Sequence, residues 1–274
     1  MRTRPIPMTL DEFHDLPRRP GWKHEYRGGK AYIQPRPSVA ILCAPVVTRP
    51  VSIPAGFRLR PATLADAPLL IHAFFDAFRD SIDYWDYRLP ATHTDSRKSI
   101  ETCFAGKRGV FHPASCVAVA PTGRSIAGAA LIVEAADGPV LDLLFVRPRW
   151  QRLGLGIAVA QSAMNALHDR GASHLGGAYN VANEVSAALH RRLGFAELPD
   201  LMRAQDEAAC AEHELRRREQ SGDLTDAERQ ELERAARHWE SVHQELLALR
   251  DRDGFEAVSP LLRRGRPRKQ EAAP

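Results

Sequence analysis

The sequence predicts an α/β fold that is followed by a helical hairpin. Residues 57–200 alternate short apolar runs of strand type with amphipathic segments of helical spacing, an alternation typical of α/β domains. Residues 204–252 contain almost no Gly or Pro and carry dense charge of alternating sign, which favours solvated helices. The chain has 274 residues, of which 44% are hydrophobic and 26% charged. It is therefore long enough for a core domain of about 150 residues with appendages.

Three absences in the sequence narrow the class of protein. No run of apolar residues is long enough to span a membrane, and the opening residues MRTRPIPMTLDEF lack the apolar stretch of an export signal. The eleven histidines form no H-E-x-x-H motif and no cluster with zinc spacing, so we expect no metal. We expect a cytoplasmic protein with reduced thiols and no membrane association. The cysteines are scattered and form no C-x-x-C pair: Cys43, Cys103, Cys116 and Cys210.

The net charge of +4 conceals an uneven distribution. Residues 1–60 carry eleven Lys and Arg against four Asp and Glu, and residues 261–274 carry five against one. The body between these ends is acidic. An acidic cleft favours a cationic substrate, whereas basic ends favour polyanions or remain solvated.

The N-terminal extension, residues 1–56, is rich in Pro and Arg. Met8–Leu16 is predicted as a short helix. Trp22–Ile33 is predicted as a hairpin around a Gly-Gly pair, because two glycines readily supply the positive φ angles of a tight turn. Beyond Gln34, the prolines favour an extended linker.

Residues 57–203 form the predicted α/β domain. Thr63-x-x-Asp66 is a capping signature, and it precedes a first helix through Phe78. Val140–Val146 is a continuous apolar run around one acid, which is typical of a strand buried on both faces. The other predicted strands cover residues 57–60, 115–120, 126–134 and 174–179, and the later helices cover 95–105, 154–170 and 183–193.

Residues 204–253 form the predicted helical hairpin, with a break near Gly222. In its second half, apolar residues are spaced alternately three and four apart, which is the pattern of a coiled-coil seam. The seam leaves three partners open: the hairpin itself, the core domain, or a second subunit that would make a homodimer through residues 225–250. Its members are Leu232, Ala235, Trp239, Val242, Leu246 and Leu249.

The loop Gln151–Gly156 is the stretch that carries chemistry. It follows a buried strand and opens a helix. Glycines at such a turn let backbone N–H groups approach a ligand, and the helix N-terminus adds about half a positive charge. The pattern Q-x-x-G-x-G lacks both the Gly-Lys-Ser/Thr of a P-loop and the third glycine of a dinucleotide fingerprint. It predicts a site for a pyrophosphate or another diffuse anion.

This loop resembles the acetyl-CoA pyrophosphate loop of the GNAT (GCN5-related N-acetyltransferase) superfamily. The strand end Leu144–Pro148 is similar to the splayed strand that precedes that loop. Phe57–Asp66 looks like the family's first strand and helix cap, and Asn183–Phe195, ending in Leu-Gly-Phe, looks like its later helix. The resemblance covers residues 57–198. It implies a mixed, mostly antiparallel sheet flanked by helices, acetyl-CoA as the acyl donor, and an N-acyltransferase.

The resemblance also assigns roles to particular residues. Backbone amides at the start of the helix would hold the pyrophosphate, the strand end would pair with the pantetheine arm, and the later helix would line the cofactor path. The cofactor residues implied in this way are Phe145, Val146, Gln151, Arg152, Leu153, Gly154, Leu155, Gly156, Asn183 and Ser186.

The family reaction is attack of an amine on the acetyl thioester, which needs a base for the ammonium proton and an acid for the leaving thiolate. Asp142 is the first candidate base and Glu134 the second. Many relatives have Tyr where this sequence has His190, in the motif Tyr-x-x-Leu-Gly-Phe. An imidazolium at His190 is therefore the first candidate acid and Tyr179 the alternative.

Residues 76–96 are expected to form the acceptor pocket, because carboxylates interleave there with aromatic rings and so suit a cationic amine. A charged helix and loop with an aromatic core stripe is the competing interpretation. The candidate substrate-binding residues are Asp80, Asp83, Tyr84 and Trp85. The acceptor would be a small amine, a peptide N-terminus or a lysine.

The two ends carry weaker resemblances. Residues 8–37 look like the opening segment of Uma2-type proteins, without a metal site. Arg264–Pro267 matches the core of an AT-hook, which can enter the minor groove of A·T-rich DNA. Residues 254–262 are expected to return as a last strand, before the basic tail. A CoA-binding or DNA-associated regulatory module that has lost catalysis is the alternative function.

Overall fold

The computed structural model describes residues 5–259, which divide into two compact units. The first comprises Ile41–Tyr179 and Asn183–Glu197. The second comprises the described residues up to Ala40, residues 180–182, and the chain from Leu198. The predicted mixed α/β fold is confirmed.

Every strand and helix predicted for residues 57–200 is present. The structure adds four strands that were not predicted, which are Ile6–Pro7, Val39–Pro45, Val110–Phe111 and Ala196–Glu197. The strands are β1 (Ile6–Pro7), β2 (Trp22–Arg27), β3 (Lys30–Pro35), β4 (Val39–Pro45), β5 (Arg58–Pro61), β6 (Val110–Phe111), β7 (Cys116–Val119), β8 (Ile126–Ala135), β9 (Gly138–Val146), β10 (His174–Asn180) and β11 (Ala196–Glu197). The α-helices are α1 (Leu10–His14), α2 (Ala67–Phe78), α3 (Leu89–Phe104), α4 (Leu155–His168), α5 (Glu184–Leu193), α6 (Leu201–Ser221) and α7 (Asp226–Asp253).

The main sheet of the first unit has, among the described residues, the strand order β11-β4-β10-β9-β8-β7-β5, with β6 added to β8. Strand β8 pairs antiparallel with β7 and β9, whereas β9 and β10 run parallel. Helices α4 and α5 cover one face, where Leu155 and Met164 pack against Ile132. Helices α2 and α3 cover the other, where Phe74 packs with Phe145. Because successive side chains of a strand alternate between faces, the apolar runs of β8 and β9 feed both cores.

Two irregularities of β9 shape the centre of this sheet. The register with β8 shifts between Leu131 and Ile132, which face Leu143 and Leu141, so that Asp142 is the extra residue of a β-bulge. The parallel ladder between β9 and β10 consists, within the described range, of one pair, Val140 with Gly176. The two strands therefore diverge toward the C-terminal end of β9.

Two segments differ from the sequence prediction. Residues 39–45, predicted as linker, form β4, which lies between β11 and β10. Their alternation of buried and exposed side chains is that of a strand, a signal that the neighbouring prolines concealed. Residues Phe255–Val258, expected in a last strand, form a short 3-10 helix whose Val258 is buried against Leu246. The rest of that predicted strand and the AT-hook match lie outside the described residues.

The second unit contains the sheet β1-β3-β2 and the predicted helical hairpin. Thr225 and Glu228 form a capping box at the start of α7. Trp239, Val242 and Leu249 pack on buried Ala204 of α6, so the seam has a partner within the chain. No helix in residues 5–259 is both long and apolar enough to cross a membrane.

Candidate functional site

The loop before α4 has the backbone geometry of an anion cradle. Gly154 is the N-cap of α4 with φ of 86°, a left-handed conformation that glycine adopts without the clash of a Cβ. A Cβ built at Gly154 would meet no atom within 4 Å, so the space above the first turn is open. Arg152, with φ of 61°, is the one non-glycine residue with positive φ between residues 5 and 259. Strain of this kind concentrates at binding sites.

A strap of residues 46–52 lies along α4 and walls a cavity beside this loop. The buried amide of Gln161 donates to the carbonyl of Val47 at 3.1 Å. Asn165 donates to the carbonyl of Arg49 at 2.8 Å and accepts from its N–H at 3.1 Å. The cavity of about 230 Å³ lies between Pro50–Ser52, the first turns of α4, and Arg192 of α5. This wall was not predicted from the sequence, because the prolines of the segment favour an extended linker.

The end of β9 presents its main chain to the gap between β9 and β10. The N–H of Arg147 donates to the carbonyl of Ala127 at 2.8 Å, on the β8 side. Because the direction of these groups alternates along a strand, the N–H and C=O of Val146 face the β10 side. Its carbonyl accepts a hydrogen bond from Nε2 of Gln151 at 3.0 Å. Gln151 therefore ties the loop to the strand end.

Two residues predicted for different subsites meet at the start of α5. Asn183 caps α5 by accepting from the N–H of Ser186 at 3.0 Å. Its Nδ2 donates to Oδ2 of Asp83 at 2.9 Å. Burial raises the pKa of the Asp83 carboxyl above its ordinary value, against the effect of that hydrogen bond. One hydrogen bond thus joins a residue predicted for the cofactor path to a residue predicted for the acceptor pocket.

His190 lies in the aromatic packing of α5, with only 4% of its surface exposed. Its ring stacks on Tyr179, with 5.8 Å between centroids, and meets the ring of Phe195 edge-on. Its Nδ1 donates to the carbonyl of Ser186 at 2.8 Å. Burial lowers the pKa of His190, which favours the neutral imidazole at pH 7. Tyr179 donates its hydroxyl to Glu197 at 3.4 Å.

The two candidate bases have different surroundings. Asp142 accepts two hydrogen bonds from Arg108, at 2.7 and 2.8 Å, so both of its carboxylate oxygens are engaged in a bidentate ion pair. Glu134 is exposed, 3.9 Å from Nε2 of His112, and pairs with Pro139 at the far end of β9. Six residues separate it along β8 from the partner of Val146, a span of about 20 Å. The structure does not bring Glu134 to the loop.

The remaining acceptor candidates are not all directed to one point. Asp80 is 84% exposed beside Arg79. Tyr84 donates its hydroxyl to Asp95 of α3, and burial followed by this bond raises its pKa. Trp85 is partly buried next to this turn.

An ion pair at the base of the site was not anticipated from the sequence. Arg147, directly after β9, donates to Asp76 of α2, and its guanidinium lies 5.3 Å from the ring centroid of Trp150. Nothing in the sequence around Arg147 indicates that it pairs with Asp76, which lies 71 residues earlier in the chain. The contact joins α2 to the strand that leads into the loop.

Comparison with solved structures gives distant similarity. A GCN5-related N-acetyltransferase from Sphaerobacter thermophilus is 18% identical with a TM-score of 0.44; the match covers 58% of this chain and 48% of that one. The ribosomal-protein-S18-alanine N-acetyltransferase from Escherichia coli is 21% identical with a TM-score of 0.39, over 50% and 76%. A GNAT-family putative acetyltransferase from Novosphingobium aromaticivorans is 14% identical with a TM-score of 0.37, over 65% and 63%. The chain thus spans about half the length of the first of these. None of the curated proteins matches this sequence.

The family comparison is more direct. A sequence model described as "Acetyltransferase (GNAT) domain" matches residues 57–196, just over half of the chain. The match includes the Q-x-x-G-x-G loop, the diverging strands and the helix that ends in Leu-Gly-Phe. It does not include residues 8–37, so the Uma2-type resemblance stays a prediction. The chain belongs to the GNAT family of acetyltransferases.

Proposed function

We propose that this chain transfers an acetyl group from acetyl-CoA to a primary amine. The observation that carries the proposal is the left-handed Gly154 at the N-terminus of α4, next to the gap between β9 and β10. A pyrophosphate fits this place, because no side chain occupies it and the helix N-terminus favours negative charge.

Different residues of the chain would bind different parts of acetyl-CoA. The amides of Leu153, Gly154, Leu155 and Gly156 bind the pyrophosphate, with Arg152 beside them. Arg192 supplies positive charge to the cavity at the strap, which takes the nucleotide end. The main-chain N–H of Val146 pairs with the pantetheine arm, and Asn183 and Ser186 flank it from α5. By the same alternation, the main chain of Phe145 faces β8, so Phe145 supports the strand end and does not pair with the arm itself.

Asp83 is proposed to bind the amine and take its proton. A carboxylate attracts an ammonium group, and its raised pKa brings it nearer to that of a useful base. The hydrogen bond from Asn183 keeps it next to the donor path. Acetyl-CoA supplies the thioester carbon that the free amine attacks, while Asp83 holds the proton that the nitrogen loses. Asp80, Tyr84 and Trp85 have no assigned step, although the last two border this turn.

Tyr179 is the proposed source of the proton for the leaving thiolate. A phenol hydroxyl is a proton donor, and that of Tyr179 lies on β10, the strand that borders the gap with β9, where it donates to Glu197 at 3.4 Å. His190 stacks on the ring of Tyr179 and orients it. His190 is not the proposed acid, because its imidazole is buried and neutral and its Nδ1–H already donates to the carbonyl of Ser186. Asp142 and Arg108 position the bulge of β9, and Glu134 has no part in the reaction.

The test is release of free thiol from acetyl-CoA with a panel of acceptors. We expect turnover with primary amines and lysine peptides, and none with the same acceptors after N-acetylation or with matched alcohols. Tyr179→Phe should lower kcat by about tenfold or more without changing the Kd of acetyl-CoA, whereas His190→Tyr should retain most of kcat. Binding of acetyl-CoA without turnover on any amine would contradict the proposal and favour a regulatory module.

A further inference from the structure

A second cavity, of about 320 Å³, lies in the second unit between the β2–β3 hairpin and α6. All of its walls belong to that unit. It is separate in sequence from the loop and strands of the acetyltransferase site. Basic residue types dominate its lining: the arginines Arg18, Arg19, Arg36 and Arg216, and the histidines His24 and His213.

Carboxylates neutralise this lining only in part. Asp206 is the one acidic residue among the described residues that line the cavity, and Arg36 donates to it at 3.0 Å. Arg216 lies 3.9 Å from Glu212, one turn back on α6. The guanidinium of Arg18 lies 4.8 Å from the ring centroid of Phe13 and pairs with no carboxylate in the part of the chain that the structure covers. Arg36 and Arg216 therefore each lie beside a carboxylate, whereas Arg18 lies against an aromatic ring.

The pKa of His24 reflects its burial and the positive charge that surrounds it in this cavity. Burial, followed by the nearby charges of Arg18, His213 and Arg36, lowers the pKa of His24 to about 4. Burial also lowers the pKa of the Arg18 guanidinium. Cations held together and partly out of water are stabilised when an anion enters.

We infer that this cavity binds a small phosphate monoester that carries a flat ring, of the nucleoside monophosphate class. Guanidinium groups match phosphate oxygens in a bidentate geometry, and a dianion balances more than one arginine. Trp22 lines the same cavity, and an indole ring can stack on the flat ring of a ligand. A cavity of about 320 Å³ has the size of a site for a small molecule. Residues 18–36 of the N-terminal extension, which the proposed acetyl transfer does not use, gain a function in this way.

The test is calorimetric titration of the full chain with adenosine 5′-monophosphate, inorganic phosphate and adenosine. The main variant is Ala209→Glu, which places a carboxylate at an exposed helical position on the cavity wall. Ala248→Glu adds the same charge at an exposed position of α7 and is its matched control. Arg18→Gln removes the arginine that lacks a carboxylate. Thermal melting of all three checks that they fold.

We expect the monophosphate to bind to the unsubstituted chain. Ala209→Glu should weaken this binding by about tenfold or more because its carboxylate repels the anion, and Arg18→Gln should do the same because a cation is lost. Ala248→Glu should leave its Kd within about twofold. Repeating the titration on Gly154→Glu separates this cavity from the proposed donor site, and binding should persist. The inference is wrong if the monophosphate does not bind, if Ala209→Glu and Ala248→Glu behave alike, or if Gly154→Glu abolishes binding. Equal affinity for adenosine would refute recognition of the phosphate, and equal affinity for inorganic phosphate would refute the ring contact with Trp22.

Discussion

Replacing Gly154 by glutamate tests the donor site, and Gly171 offers a matched control. Gly154 has φ of 86° and Gly171 has φ of 81°, and a Cβ at either would meet no atom within 4 Å. Each substitution therefore forces a side chain into the same left-handed backbone, at a cost of about 1–2 kcal/mol. We expect both variants to lose a similar few degrees of Tm.

Only Gly154→Glu should affect acetyl-CoA. Its carboxylate would lie at the N-terminus of α4, where the pyrophosphate is proposed to bind. Two like charges about 4 Å apart at an effective dielectric constant near 20 repel by about 4 kcal/mol, which corresponds to about a thousandfold loss of affinity. Calorimetric titration of acetyl-CoA measures it directly. Equal affinities in the two variants would refute the reasoning, because the loop would then be only a structural turn.

Three further predictions follow from the same geometry. Asp83→Asn should lower kcat by about a hundredfold, because the proposed base is lost, and should leave acetyl-CoA binding and Tm unchanged. The control Asp80→Asn, at a solvent-exposed carboxylate, should change kcat by less than about twofold. Similar kinetics in the two variants would show that Asp83 is not the base. Arg152→Gly should raise stability in thermal melts by about 0.5–1 kcal/mol through relief of the positive φ, and should weaken acetyl-CoA severalfold; a lower Tm would contradict the strain. The hydrogen bond from Arg60 lowers the pKa of Asp66, so the charged pair stabilises the fold above pH 3.8 and this contribution is lost as pH falls through the folded pKa. Asp66→Asn should therefore lower the free energy of unfolding, measured with denaturant at pH 7, by about 1–2 kcal/mol. The loss is modest because water screens the half-exposed Arg60, and the difference between the two proteins should shrink below pH 4.

Sequence patterns predicted those parts of the fold whose causes are local. The loop at Gly154, the cap at Thr225 and the two-sided burial of β9 each depend on residues within a few positions, so their signals were readable. The bulge at Asp142 and the divergence of β9 from β10 depend on register against other strands, which one sequence does not display. The role of Asp83 depends on Asn183, a hundred residues away. Side-chain pairings at such separation were found only from the structure.

Strand β4 bears on where the catalytic domain begins. It precedes the range that matches the family, yet it lies between β10 and β11 in the sheet, and the strap that follows it is held to α4 by Gln161 and Asn165. An expression fragment cut at residue 57 would expose the hydrogen-bonding edge of β10 and leave β11 without its neighbour. Such edges promote aggregation. A fragment meant for assays should therefore start before Val39, because in this chain the domain defined by homology is shorter than the unit that folds.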